Sequence, residues 1–505
     1  MKESTSKISY LDSHSIQSVS KHLVINDTTQ GIREKIQAKI LSYIFNIKHG
    51  VVYSFSFTHD LFSERVGLEV LMKKGYIDTY GEGVVYSDYP RFNFFGIVLF
   101  IEQKKSTIRS WGYSFPFEEK GLAIKKALWE GIERQASYYI KNVTTLPHKT
   151  LQKGDARFLY EYIPKFTKGQ ITRNQQLLAH KEQLSSLSGF KISPLTGGPA
   201  RFLPASLFYW GESISPTECS IKEPNTSGSG GGYTKETATL SALYELIERD
   251  AFLLFWYSRV MPSIIDIEGK GGVFFDYVRD ARERFNLEIY FLDTTYDIDV
   301  PSCVCLIIDP VLHLVALGAK VSPSAETSMR GAMLEALATL STIRSRKNYV
   351  EEEELQVYLK QSLFGDKAVD NGKRVNLYCS PMGVTLIKKL WIGDGTKKIT
   401  FDSYNSNSQI FKTAREELIS LQNKFKTLVK EKGEGYHIYP HQFHSTWASM
   451  TKYILMHVYV PSFLTLHLQE EYAAPLSTRL FEFAASYGIT IQDESDCNPL
   501  PHPFP

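Results

Sequence analysis

Two stretches of the chain, ALWEGIERQA at 127–136 and ALYELIERDA at 242–251, are identical at seven of ten positions and share an aromatic residue at an eighth. In each copy two glutamates stand three residues apart and an arginine follows the second, which puts all three on or beside one face of a helix. The rest of the second copy is apolar, with Leu243, Leu246, Ile247, Ala251, Phe252, Leu253 and Phe255 leaving little surface for solvent. Carboxylates on such a helix cannot stay unpaired, because burying an isolated charge is strongly unfavourable. Glu130, Glu133, Glu245 and Glu248 therefore need arginines, divalent ions or both. A carboxylate cluster suits Mg²⁺, which takes one or two carboxylates together with substrate phosphates. A structural salt-bridge set around Arg134 and Arg249 is the competing reading.

A third, weaker copy lies in GAMLEALATLSTIR at 331–344, where Glu335 aligns with Glu130 and Glu245 and Ala338 falls in place of the second glutamate. Arg344 and Arg346 follow it and could face phosphate, although basic residues at a helix C-terminus are ordinary. Before the second copy runs NTSGSGGGYTKET at 225–237, read as a Ser/Gly-rich loop opening onto a helix capped by Thr234. Its glycines let backbone N–H groups approach an anion, and the helix N-terminus adds favourable partial charge there. No G-K-[ST] follows, so it is not a P-loop.

Outward from the repeats, strand-like runs alternate with helical ones from Asn93 onward: FFGIVLFIE, the helix 121–140, RFLPASLFYW, the helix 236–256, LEIYFLD, VCLIID, LVALGAKV, the helix 326–344, and after Thr400 the helix 410–432, YILMHVYV and a helix near 478–487. The alternation predicts an α/β or α+β domain over 91–505. Segments 351–374 and 393–398 read as exposed insertions. Residues 1–90 predict a small winged-helix-like module, with helices near 31–47 and 61–74 and a hairpin turning at G-E-G (81–83). An N-terminal extension of structural use alone is the other reading. His437, His441 and His444 in YHIYPHQFH resemble a metal cluster, but the spacing and Pro440 favour loop histidines, with general-base duty for His437 or His441 a minor reading.

The 57 basic and 55 acidic side chains leave a formal charge of only +2, which gives no bias toward nucleic acid or a membrane surface. No apolar run approaches the ~18 residues of a spanning helix, and the polar N-terminus lacks a signal-peptide pattern. Five scattered cysteines form no disulfide framework, and Cys303 and Cys305 read as buried strand thiols. A cytoplasmic protein is expected.

GLAIKKALWEGIER (121–134), TSGSGGGYTKETATLSALYELIERDAFLLFW (226–256), GAKVSPSAETSMRGAMLEAL (318–337) and the terminal PLPHPFP (499–505) together resemble the YcaO family, ATP-dependent enzymes that activate peptide backbone amides. The resemblance implies a YcaO-type ATP-binding domain, with Mg²⁺ held by Glu130, Glu133, Glu245, Glu248 and Glu335. It implies phosphate contacts from Ser227 and Arg249, with Arg344 a further candidate. The proline-alternating end is similar to that of azoline-forming cyclodehydratases, which implies a role for the Pro505 carboxylate as base or organiser, delivered by Pro501 and Pro503 in an extended, low-entropy segment; a disordered tail is the bland alternative. His502, inside that tail, could lie near the reaction. In the implied reaction a Cys thiol or a Ser/Thr hydroxyl attacks the preceding amide carbonyl. The oxyanion is phosphorylated by ATP and leaves as phosphate, closing a thiazoline or (methyl)oxazoline. The implied partners are a ribosomal precursor peptide and a separate leader-binding protein of E1-like or ThiF-like type, with a flavin-dependent azoline dehydrogenase as a further one. A thioamide-forming member of the family and a noncatalytic scaffold subunit are the alternatives. Two departures from the family pattern stand out: Ala127 where a serine is frequent, and Ala338-Thr339 where the third motif usually carries a glutamine.

Overall fold

In the computed structural model the described residues are 54–55, 77–84, 90–101, 106–119, 121–137, 153–209, 218–346, 374, 377–443, 448 and 452–504. The helices read at 31–47 and 61–74, and with them the winged-helix reading, lie outside these residues.

Four strands, β1 (Ser54–Phe55), β2 (Ile77–Val84), β3 (Asn93–Ile101) and β4 (Ser106–Ser114), form an antiparallel sheet in that order. The G-E-G run does not turn: Gly81, Glu82 and Gly83 lie inside β2, paired with Gly96, Phe95 and Phe94 of β3. The division drawn at residue 90 is thus bridged by a ladder of hydrogen bonds. Helix α1 (Gly121–Ser137) packs on β3 and β4.

A two-stranded ribbon, β5 (Gly189–Ile192) with β6 (Arg201–Pro204), precedes β7 (Ser229–Gly232), which pairs far along the chain with β14 (Ile454–Tyr459) and through it with β13 (Tyr439–Phe443). The central helix α2 (Lys235–Ser258) lies across this sheet. Thr234 caps it, its hydroxyl accepting from the Thr237 N–H, as expected. The largest sheet has the order β11-β10-β9-β8-β12, from β8 (Ser263–Asp266), β9 (Glu288–Asp293), β10 (Ser302–Asp309), β11 (Leu314–Val321) and β12 (Lys398–Thr400). All its pairings are antiparallel except β8 with β12. Further helices are α3 (Val273–Phe285), α4 (Ala325–Arg346), α5 (Pro381–Trp391), α6 (Ala414–Lys432) and α7 (Thr478–Ser486), with shorter ones at Lys153–Tyr162, Lys168–Arg173 and Phe401–Asn405.

Every residue of β10 is buried, which is why it reads as a continuous apolar run rather than an alternating one. Cys303, Cys305 and Ile307 face the core beneath α4, while Val304, Leu306 and Ile308 face the core around the C-terminal half of α2. All five cysteines are free and buried. Arg374, at the edge of a segment expected to be exposed, is fully buried. Among the described residues no helix is long and apolar enough to cross a membrane.

Candidate active site

The repeated helices share more than sequence: each lies on its own strand through a glycine that lets the two backbones touch. A Cβ on Gly112 of β4 would fall within 3.0 Å of Ala123 O and Ala127 N. One on Gly230 of β7 would meet Ala238 O and Ala242 N, and one on Gly318 of β11 would meet Ala332 O and Ala336 N, again within 3.0 Å. The structural register therefore equates Ala127, Ala242 and Ala336, so Glu130 and Glu245 correspond to Thr339, and Glu133 and Glu248 to Thr342. The alignment of Glu335 with Glu130 and Glu245 is corrected by one helical turn; Glu335 occupies the position of Lys126 and Ser241.

Despite that shift, the five glutamates form one electrostatic cluster. Glu130 pairs with Arg134 at 2.5 Å and accepts from Trp111 N–H at 3.4 Å. Glu245 pairs with Arg249 at 2.8 Å and accepts from Gly228 N–H at 2.7 Å. The pairs are equivalent, one per repeat. Lys320, on β11, lies 3.4 Å from Glu248 Oε2 and 4.0 Å from Glu335 Oε1. Solvent reaches Glu130 and Glu335, whose side chains are 37% and 38% exposed, whereas Glu248 is only 6% exposed.

Burial, with repulsion from Glu245 and Glu130, pushes the Glu133 carboxyl up to about 8. Burial and the neighbouring Glu248 push Glu335 up to about 8 as well. Burial also raises Glu130, opposed by Arg134, and Glu248, opposed by Lys320. Glu248 in turn holds the Lys320 ammonium above its usual range. Glu248 Oε2 is buried and has no partner besides the Lys320 ammonium among the described residues. Five carboxylates thus face Arg134, Arg249 and Lys320, with Lys126 drawn to the Tyr113 carbonyl at 3.1 Å and lowered by burial. An all-oxygen, under-neutralised donor set of this kind fits Mg²⁺.

Beside the cluster Arg249 donates to Ser227 Oγ at 2.6 Å, so the predicted phosphate residues are in contact. Lys222, buried and lowered to about 8 by desolvation and by Arg249, adds a cation that the sequence reading passed over. The Ser/Gly segment, however, is largely a strand. Gly230 is consumed by contact with α2, Gly231 by the Tyr453 ring and Gly232 by Thr237, which leaves Ser227 and Gly228 as the part facing the carboxylates. Arg344 is half-buried on α4, nine residues beyond Glu335, about 13 Å along the helix axis at 1.5 Å per residue.

The proline-rich end is docked. Asn498 N–H donates to Tyr257 O at 2.8 Å, Trp256 Nε1 to Leu500 O at 2.9 Å, and Tyr378 Oη to Pro501 O. Phe504 packs on Phe252 with ring centroids 5.0 Å apart. The tail thus runs antiparallel to α2, from Tyr257 toward Phe252, one turn short of Glu248. Pro501 and Pro503 are buried along it; Pro505 lies outside the described residues. His502 is pinned rather than placed at the carboxylates: its Nε2 lies 2.9 Å from His467 O and 3.1 Å from the Arg374 guanidinium, and with His467 and Glu470 it forms a buried group whose ligand-type atoms lie within 4.8 Å. Arg374 supplies the positive charge there.

The three histidines of YHIYPHQFH do not form a metal cluster among the described residues. His441 is in β13, not a loop, with Nε2 2.8 Å from Tyr209 Oη and its ring stacked on Phe190; Pro440 is accommodated because β13 is an edge strand. His437 bonds Thr196 Oγ1 at 2.7 Å. His444 lies outside the described residues.

A stretch of 138 residues is 30% identical to an uncharacterised protein of Methanothermobacter thermautotrophicus, covering 26% of this chain and 35% of that protein. In fold, the chain is similar to a heterocyclase solved in complex with substrate and cofactor (TM-score 0.62, 14% identity, 87% of this chain and 58% of that one). It is also similar to YcaO of Methanopyrus kandleri bound with AMPPCP and Mg²⁺ (TM-score 0.53, 13% identity, 79% and 89%). A third likeness is to the E. coli microcin synthetase McbBCD complex (TM-score 0.51, 13% identity, 84% and 96%). The chain spans about a third of the Methanothermobacter protein and under two thirds of the heterocyclase chain. The sequence model of the YcaO cyclodehydratases, described as ATP- and Mg²⁺-binding, matches residues 121–431, which hold all five clustered glutamates, and the chain belongs to that family.

Proposed function

We propose that the chain is an ATP-dependent cyclodehydratase that closes Cys, Ser or Thr residues of a ribosomally made peptide into thiazolines or (methyl)oxazolines. The observation that carries this reading is the junction of two things on α2: a carboxylate cluster with Ser227 and Arg249 at its edge, and a proline-rich tail laid along the same helix toward it. Glu130, Glu133, Glu245, Glu248 and Glu335 would hold Mg²⁺, which neutralises charge on a transferring phosphoryl group. Ser227 and Arg249 orient the nucleotide's phosphates, and Gly228 N–H keeps Glu245 aimed into the cleft.

An amide oxygen is a poor leaving group, so ring closure needs it converted to a phosphate ester. The peptide thiol or hydroxyl adds to the carbonyl carbon as its own proton passes to a general base, the resulting oxyanion takes the γ-phosphoryl group of ATP with release of ADP, and the amide N–H proton passes to a base and phosphate departs as the C=N bond forms. Pro501 and Pro503, both buried, hold the tail extended along α2 in the direction of the turn that bears Glu248. We place the reaction in the cytoplasm, with a leader-binding partner of E1-like or ThiF-like type presenting the precursor; a flavin-dependent dehydrogenase would act on the azolines afterwards. The family fold shared with a subunit assembly such as McbBCD supports a partner-dependent enzyme.

The test is mass spectrometry of a precursor peptide incubated with the protein, its partner, ATP and Mg²⁺. Loss of one water per modified residue supports the reading, whereas oxygen-to-sulfur exchange would assign thioamide formation instead. No modification and no ATP turnover would leave a scaffold subunit. Glu248→Ala is expected to abolish turnover; a variant turning over normally refutes the shared site.

A further inference from the structure

Lys320 is the basic residue in an otherwise apolar run, LVALGAKV, and its placement is built rather than incidental. Its stem crosses α4 where that helix has Gly331, and a Cβ there would fall within 3.0 Å of Lys320 Cγ and Cδ. The groove so made directs the ammonium between Glu248 on α2 and Glu335 on α4, at 3.4 and 4.0 Å. Both separations are those of a long, loose ion pair, and Glu248 Oε2 has no partner besides this ammonium among the described residues. The lysine side chain is 40% exposed and can leave, whereas Glu248, 6% exposed, is fixed in the core.

A divalent ion would seek the same two carboxylates, and a metal and an ammonium cannot share them at contact distance because like charges at short range repel strongly. We propose that Lys320 is a tethered counter-cation of the Glu248–Glu335 pair that a divalent ion must displace, so that the site takes up metal together with a phosphate ligand rather than alone. The proposal rests on the carboxylate-metal reading above. Once a phosphate group lies beside the cleft, the displaced ammonium gains a new anionic partner. That offsets the loss of the old one, and metal and nucleotide reinforce each other reciprocally.

The experiment is calorimetric titration of the full-length protein with Mn²⁺, with and without AMPPCP, for the wild type and for Lys320→Met, Lys320→Gln and Lys320→Arg. Expected is Mn²⁺ binding to the nucleotide-free protein that is at least about tenfold tighter in Lys320→Met than in wild type, with AMPPCP then adding little further affinity. Lys320→Arg should keep the wild-type dependence on nucleotide. Lys320→Gln, close in size, repeats the comparison if the methionine variant melts early. Equal nucleotide-free affinities in wild type and both neutral variants would overturn the lysine's role while leaving the metal site standing. Absence of Mn²⁺ binding in every protein, with or without AMPPCP, would overturn both.

Discussion

Replacing Phe504 by alanine tests whether the docked tail is held by α2. The ring is 5% exposed and seated on Phe252 in the core that also contains Trp256, Trp391 and Leu500. Removing a buried phenylalanine costs about 3–5 kcal/mol in a rigid core, and a peripheral segment relaxes more readily, so the low end, about 3 kcal/mol, is appropriate. Because the tail is a peripheral segment, the loss falls on the docked-to-undocked equilibrium rather than on the whole fold. It should raise the open population by roughly two powers of ten at 1.36 kcal/mol per decade. Hydrogen exchange read by mass spectrometry provides the assay: the Asn498 amide, bonded to Tyr257 O, should exchange about a hundredfold faster, while β10 keeps its protection. Nucleotide binding should survive and ring formation should fall. Unchanged exchange at Asn498 would refute the docking argument, and equal acceleration in β10 would show that the residue supports the fold as a whole.

The carboxyls of Glu133 and Glu335, both held up to about 8, must be ionised to ligate a metal, so Mn²⁺ affinity should climb as pH rises toward about 8 and level off above it. Each required proton release contributes up to about tenfold per pH unit below that point; a pH-independent affinity over this range contradicts the assignment. Gly318→Ala forces a Cβ against the backbone of α4 and should destabilise by about 3 kcal/mol. Gly121→Ala, where nothing lies within 4 Å, should be neutral or stabilising, and urea titration of both variants checks the pair of expectations.

The repeats were legible because identical residues recur at identical spacing, and β9, β10, β11, α2 and α4 because their apolar runs are long. Strand β4 was missed: STIRSWGYS is mostly small and polar, and it is a strand because β3 and α1 cover it. Helix α3 was missed although VFFDYVRDARERF is amphipathic, and α5 begins at a proline that its serine cap makes harmless. The glycines before α2 looked like a ligand loop because glycine marks close approach of any kind; here most of that approach is to protein. The register of the third copy was unreadable for a related reason. Glu335 was the only visible landmark in it, whereas what repeats in space is a pair of alanines four residues apart facing a strand glycine. Lys320 carried a signal, a charge within an apolar strand, but its partners lie on α2 and α4, beyond the reach of local pattern.

The three glutamate-bearing helices each belong to a different sheet: α1 to β1–β4, α2 to β13–β14–β7, α4 to β11–β10–β9–β8–β12. A ligand seated among their carboxylates is therefore a rivet through three laminae, and its binding energy is shared by their mutual alignment. A load placed on the outer edge of any one sheet, by a docking protein for instance, shifts the spacing among the oxygens and so is felt as a change in how tightly the rivet holds.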